Sequence, residues 1–283
     1  MSFSQNYRFK KLIRDIELKS GNKRAVILFH GLTGTPFELS RFAKYLFSLK
    51  FDVFVPCLPG HCTKPSALDK IIWQDWSYFA QDKYKTISNG YNEVFISGIC
   101  LGALLCLEIS RNFPVRAQAL LSPTLAIDGW NLPWYKFLLP LAFIPPFIWF
   151  YSYKESDPYG IKNESVRRQV LRIMQNKSSG VYESYSAIAI RELLRFSKNV
   201  KLYLNQIKTP TLVIHSKHDD LCNIKNAREL YNKISSKDKK FVELHDSYHM
   251  ITLDNERDMV FKECSDFFIK YSECAEEIDE ESG

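Results

Sequence analysis

The chain has 283 residues, 46% hydrophobic and 25% charged, with a net charge of +6. That is enough for one large domain, or one domain carrying an insertion, around a sizeable core. Nucleic-acid motifs and basic-aromatic interleaving are missing, so the surplus of base reads as a solvated surface rather than a nucleic-acid interface. Seven cysteines, with no C-x-x-C and a polar N-terminus unlike a signal peptide, point to a reducing, cytoplasmic setting without a disulfide framework.

In chain order, a short strand pair is expected around residues 12–18. Residues 24–30 (RAVILFH) form an apolar, β-branched run with the length of a buried strand. The loop His30-Gly31-Leu32-Thr33-Gly34-Thr35-Pro36 leads into an amphipathic helix over 37–49. A strand at 51–56, a loop 58–65 and a helix through Ile72, Trp73, Trp76 and Phe79 follow. Residues 94–96 are again strand, 101 onward helix, and 116–122 strand. The strands are continuously apolar rather than alternating, which predicts a parallel sheet covered on both faces. The rhythm breaks at residue 124 and resumes near 206. Between them lie an aromatic and proline-rich stretch, a charged helix over 165–176 and a helix over 182–197. Strands at 211–215 and 241–244, with helices at 227–234 and 256–271, complete the chain. The expected organisation is a core of 1–123 and 206–272, a cap or lid of 124–205, and an acidic tail, 273–283. That tail holds six acids and no base, and is expected to be dispensable.

Between the strand ending at Ile96 and the following helix stands Gly98-Ile99-Cys100-Leu101-Gly102. Glycines two before and two after a central residue are the spacing of a nucleophile elbow, here with cysteine at its centre. A sharp strand-to-helix turn strains the central residue and leaves no room for side chains at the flanking positions. It also aims that residue outward at a helix N-terminus. Downstream, Asp219 and Asp220 follow the strand 211–215, and His249 follows the strand 241–244. Nucleophile, acid and histidine thus occur in the order this architecture uses, each in a loop after a strand. The imidazole takes the nucleophile's proton, and the carboxylate fixes its tautomer. Asp219 competes with Asp220 for the acid, and His249 with His245 and His218 for the base. Leu32 and Leu101 supply the expected oxyanion N–H groups. His61 reads as structural. Cys57, Cys62 and His61 lack a clean fourth partner for a metal, so neither metal nor cofactor is expected.

Residues 130–151 carry Trp134, Phe137, Phe143 and Phe147 among other aromatics. Pro133, Pro140, Pro145, Pro146 and Lys136 argue against a transmembrane helix. A lid lining an apolar acyl pocket is expected, with Trp134, Phe137, Phe143 and Phe147 touching substrate; such a lid is compatible with peripheral membrane contact.

HGLTGTP, LPGHCTKP followed by DW, SGICLG, HSKHDD and SYHMITLD together resemble α/β-hydrolases of the bacterial carboxylesterase and monoacylglycerol lipase group, over about residues 22–270. The resemblance implies an α/β-hydrolase fold with a helical cap, and acyl ester or thioester hydrolysis through Cys100, Asp219 and His249. Leu32 and Leu101 match its oxyanion positions. Four departures stand out, one of them Ala103 in place of a frequent second glycine. Cysteine replaces the usual serine at Cys100, Cys62 replaces a glycine after the histidine, and Tyr248 replaces a glycine before His249. Acyl transfer from the same cysteine, or a silent ligand-binding protein of this fold, are the alternative readings.

Overall fold

A computed structural model of the chain describes residues 15–63, 65–132, 137–154, 156–174 and 184–273. Its centre is a seven-stranded sheet in the order β1-β3-β2-β4-β5-β8-β9. The strands are β1 (Ile16–Leu18), β2 (Arg24–Phe29), β3 (Asp52–Val55), β4 (Glu93–Ile99), β5 (Gln118–Leu121), β8 (Thr211–Ser216) and β9 (Lys239–Leu244). Only β1 runs antiparallel, pairing Ile16 with Val55. The central register is parallel, with Val26 beside Phe95 and Leu120 beside Val213. The continuous apolar runs are buried throughout β2, β3, β4, β5 and β8, as both-face burial demands.

Two hydrophobic layers cover the sheet. One face holds α1 (Ser40–Ser48) and α7 (Arg257–Lys270) through Phe42, Leu46, Phe261 and Phe268. The other holds α2 (Trp73–Ser88), α3 (Leu101–Asn112), α5 (Ala187–Lys201) and α6 (Ile224–Lys233) through Trp76, Leu104, Phe196 and Leu230. The chain leaves β2 toward β3 on one side and returns to β4 on the other. That switch point opens a crevice at the C-terminal ends of β2 and β4, where sheets of this kind take ligands.

Between β5 and β8 lie a short helix at Leu139–Ala142, the two-stranded ribbon β6 (Ser152–Lys154) and β7 (Ser184–Ser186), α4 (Glu164–Met174) and α5. One expectation needs correcting here. The stretch expected to be helical from 182 begins as β7 where it is described, because Tyr185 pairs with Tyr153. Its helix, α5, packs into the core layer through Leu193, Phe196 and Val200. No described helix is long and apolar enough to cross a membrane.

The strand pair expected at 12–18 is realised, within the described residues, as β1 at Ile16–Leu18 paired with β3. The acidic tail beyond Glu273 lies outside the described residues. Glu273, the last described residue, is docked. Its N–H donates to Glu93 Oε1 at 2.7 Å and its carboxylate meets the Arg116 guanidinium, while Ser272 Oγ donates to Glu93 Oε2. The expectation of no disulfide is also overturned, since Cys57 and Cys62 are bonded to each other. That bond removes both sulfurs from any metal set with His61. The local sequence brings the two cysteines together by turning at Pro59-Gly60, where Gly60 has a positive φ of 82°.

Candidate active site

Cys100 sits between β4 and α3 with φ 57° and ψ −113°, a strained conformation for a side-chain-bearing residue. The flanking glycines are dictated by contact. A Cβ on Gly98 would stand 2.3 Å from the Gly102 backbone, and one on Gly102 would stand 2.0 Å from the Phe29 carbonyl. The elbow therefore presses directly on the end of β2. Gly31 lies against Cys100 in turn, its ideal Cβ 3.4 Å from the cysteine Cβ. Thr124 Oγ1, just past β5, donates to Cys100 Sγ at 3.2 Å.

His249 Nδ1 lies 2.7 Å from Asp219 Oδ2, so Nδ1 carries the hydrogen. The other carboxylate oxygen accepts the N–H groups of Leu221 and Cys222 at 2.8 and 2.7 Å. Burial alone pushes the Asp219 carboxyl up; His249 and His215 outweigh it and hold the group far below the usual carboxylate range. His249 is displaced the other way. Burial pulls the imidazole down, but Asp219 and then Cys100 raise it well above the ordinary histidine value. His249 Nε2 is buried with no hydrogen-bond partner among the described residues, and both His249 and Cys100 line one cavity. The Asp220 carboxylate accepts the His249 backbone N–H, at 3.3 Å, and the Gly160 N–H, at 3.1 Å, and does not reach the His249 ring among the described contacts. Burial raises its pKa. His245 and His218 are exposed on the surface, away from this contact.

The cavity measures about 170 Å³. Leu32, Cys100, Asp220 and His249 are in its wall with Ile127, Leu138, Ala142, Tyr151, Tyr153, Ile190 and Leu193. Leu101 lies beneath this wall; as the first residue of α3 its N–H has no partner within the helix. Of the aromatics expected to touch substrate, Trp134 lies outside the described residues. Phe137 and Phe147 are 66% and 61% exposed and face away, and Phe143 is half-buried but outside the lining. The apolar wall comes instead from their neighbours Leu138 and Ala142 and from α5. Composition announced an apolar segment here; it did not say which side of a short, proline-broken path faces inward. His215, Thr124 and Glu38 also escaped the sequence reading. Glu38 Oε1 accepts the Gly31 N–H at 2.7 Å.

A thiol, a histidine oriented by a carboxylate, and an apolar cavity against them form a constellation suited to acyl transfer chemistry. Among known proteins, the chain is 25% identical over 251 residues to a carboxylesterase of Bacillus subtilis (strain 168), covering 88% of this chain and 94% of that one. It is 25% identical over 256 residues to a thermostable monoacylglycerol lipase of Bacillus sp. (strain H-257), covering 87% and 91%. A solved structure from work on the metagenome-derived lipolytic enzymes LipS and LipT superposes with a TM-score of 0.78 at 22% identity, over 91% of this chain and 98% of that one; this likeness speaks for the fold alone. Residues 20–257 match the family described as serine aminopeptidase, S33, and the chain belongs to that family, on the α/β-hydrolase fold.

Proposed function

We propose that the protein is an acyl hydrolase that cleaves esters of apolar acyl chains through a covalent intermediate on Cys100. The observation that carries this reading is the buried Asp219–His249 pair facing Cys100 across one wall of an apolar cavity. The carboxylesterase and monoacylglycerol lipase names of the two relatives point to the same bond.

In this reading His249 Nε2 takes the Cys100 proton as sulfur attacks the acyl carbonyl. The negative oxygen of the tetrahedral intermediate is held by the Leu32 and Leu101 N–H groups. The intermediate collapses, the C–O bond to the alcohol breaks, and the imidazolium returns its proton to the departing oxygen. Water, deprotonated by His249, then attacks the thioester, releasing the acid and restoring the thiol. Asp219 keeps Nδ1 protonated throughout and stabilises the imidazolium. The segment 124–205 acts as the cap, giving Leu138, Ala142, Ile190 and Leu193 to the acyl wall, and the outward Phe137, Phe147, Trp149 and Phe150 suit contact with aggregated lipid.

Rapid mixing with a series of nitrophenyl esters tests this. A burst of nitrophenol followed by turnover, with acyl mass recovered on the Cys100 peptide, is the expected result. Turnover without a Cys100 adduct, persisting in Cys100→Ala, would assign the chemistry elsewhere.

A further inference from the structure

We propose that His61 is a positioning residue for the oxyanion hole, and that the Cys57–Cys62 bond holds it in place. The inference rests on the reading of the Leu32 N–H as an oxyanion donor.

That N–H belongs to the peptide between Gly31 and Leu32, so its direction is set by where the Gly31 carbonyl points. Gly31 O accepts from His30 Nδ1 at 2.9 Å and from the Gly34 N–H at 3.2 Å. The next carbonyl, Leu32 O, lies 2.6 Å from His61 Nε2. Two successive carbonyls of the loop are therefore held by two buried histidines, whose rings meet edge-on at 4.8 Å. Both histidines are tied to the segment 57–62. The Leu58 N–H donates to His30 Nε2 at 3.1 Å, which leaves the His30 hydrogen on Nδ1 for Gly31. His61 lies in that segment itself and, as a neutral ring with one hydrogen, spends it from Nε2 on Leu32 O, while Pro59 O accepts from Trp76 Nε1 at 3.1 Å. The 57–62 segment thus steadies the peptides on both sides of Leu32, one through His30 and one through His61, and with them the N–H assigned to the oxyanion.

The His61 N–H donates to Leu58 O at 3.0 Å, but Cys62 itself sits in an unfavourable backbone conformation. Its φ is 58°, in the left-handed region that a cysteine adopts at a cost. The adjoining residue is His61. A bond from Cys62 back to Cys57 closes the turn and keeps both residues in it. Reduction by a dithiol would break the S–S bond, place two electrons and two protons on the two sulfurs, and leave the reductant as its cyclic disulfide. Freed, Cys62 would relax toward negative φ and carry His61 off Leu32 O.

The test measures kcat and KM for a nitrophenyl ester before and after treatment with a dithiol, with the thiols counted by alkylation and mass. Wild type, Cys57→Ser with Cys62→Ser, His61→Leu and His61→Gln are compared, each with its melting curve. Reduction should lower the wild-type kcat about 10-fold with KM little changed, a fraction of the roughly 10²–10³ lost when an oxyanion donor is removed. The double serine variant should be insensitive to dithiol. His61→Leu should lose kcat by a similar factor, and His61→Gln, whose amide can still donate to Leu32 O, should recover part of it. Should His61→Leu fail to fold, the reduction arm decides alone. Wild type that turns over ester with the same kcat before and after complete reduction, together with an active His61→Leu, overturns the proposal and leaves the hydrolase reading intact. Wild type that turns over no ester at all overturns that reading, and this one with it.

Discussion

His215 Nε2 lies 3.2 Å from Asp219 Oδ2, the same oxygen that takes His249 Nδ1. The other acceptor on that nitrogen is the Cys222 carbonyl at 2.9 Å, so Nε2 carries the hydrogen. A donor on that oxygen draws off part of the carboxylate's charge and softens its pull on His249. His215→Leu should therefore raise the His249 pKa further and move the acid limb of kcat/KM to higher pH. It should also destabilise the fold by about 1–3 kcal/mol, because Asp219 is buried. An unshifted limb in a folded His215→Leu would leave His215 with packing alone.

Removing the acid should move the same limb the opposite way. The base must shed its proton before it can take one from the thiol, and Asp219 raises its pKa against the effect of burial. In wild type, kcat/KM should rise with pH along a limb whose midpoint lies above about 6.5, the unperturbed histidine value. Asp219→Asn leaves burial without the attraction, so the midpoint should fall while the rate drops by roughly 10²–10⁴. If the midpoint stays put in Asp219→Asn, the limb belongs to another group.

Cys100→Ala should abolish turnover and acyl labelling. Cys100→Ser tells which atom the site is shaped for. Thr124 Oγ1 donates to the sulfur at 3.2 Å, a separation suited to the larger atom. We expect serine to lower ester hydrolysis by about 10²–10⁴, the range of effective acid–base assistance. A rise on changing to serine would show that the surroundings still serve an alcohol nucleophile.

The acyl wall should set chain length. Ala142 is a small residue in the cavity lining, in a short helix remote in sequence from Cys100, Asp219 and His249. Ala142→Trp should shorten the accepted chain by about three methylenes, worth about 0.8 kcal/mol each, or roughly 50-fold in kcat/KM for long esters against acetyl esters. Equal loss for acetyl and long-chain substrates would place Ala142 away from the bound chain.

Two truncations separate the docked C-terminus from the acidic stretch beyond it. Cutting after Glu273 should leave the melting temperature unchanged. Cutting after Tyr271 strips Glu93, a buried carboxylate, of the Ser272 hydroxyl and the Glu273 N–H, leaving Arg116 at 3.4 Å. That should cost about 1–3 kcal/mol, or about 2–4 °C per kcal/mol for a domain of this size. Identical melting curves would show that residues 272 and 273 contribute nothing.

The parallel sheet was legible because its strands are buried on both faces and so read as unbroken apolar runs. The elbow was legible because glycine is the only residue that fits beside Phe29 and Gly102, and the order of Cys100, Asp219 and His249 follows the order of the strands that end in them. What stayed hidden depends on direction rather than type. His215 looked like one more residue of β8, since no local pattern says that its ring turns toward Asp219. The aromatics at 137–150 announced an apolar segment, but which of them faces the cavity is decided by a short path broken at prolines. Cys57, Cys62 and His61 stood out as a cluster; that the sulfurs bond follows from the turn at Pro59-Gly60 and the left-handed Cys62, neither of which spacing reveals.

The contacts at Gly98 and Gly102 have one more consequence. A carbon atom added at either would strike backbone, of Gly102 in one case and of Phe29 in the other, and backbone cannot step aside as a side chain can. The central position is bounded differently: its side chain opens toward a cavity and one threonine hydroxyl. The turn thus permits exchange of the atom at its centre while forbidding almost any change to the frame that presents it. A lineage can try oxygen or sulfur at position 100 by a single substitution and keep every other part of the machinery in place. In this turn the backbone is frozen and the chemistry is free to evolve.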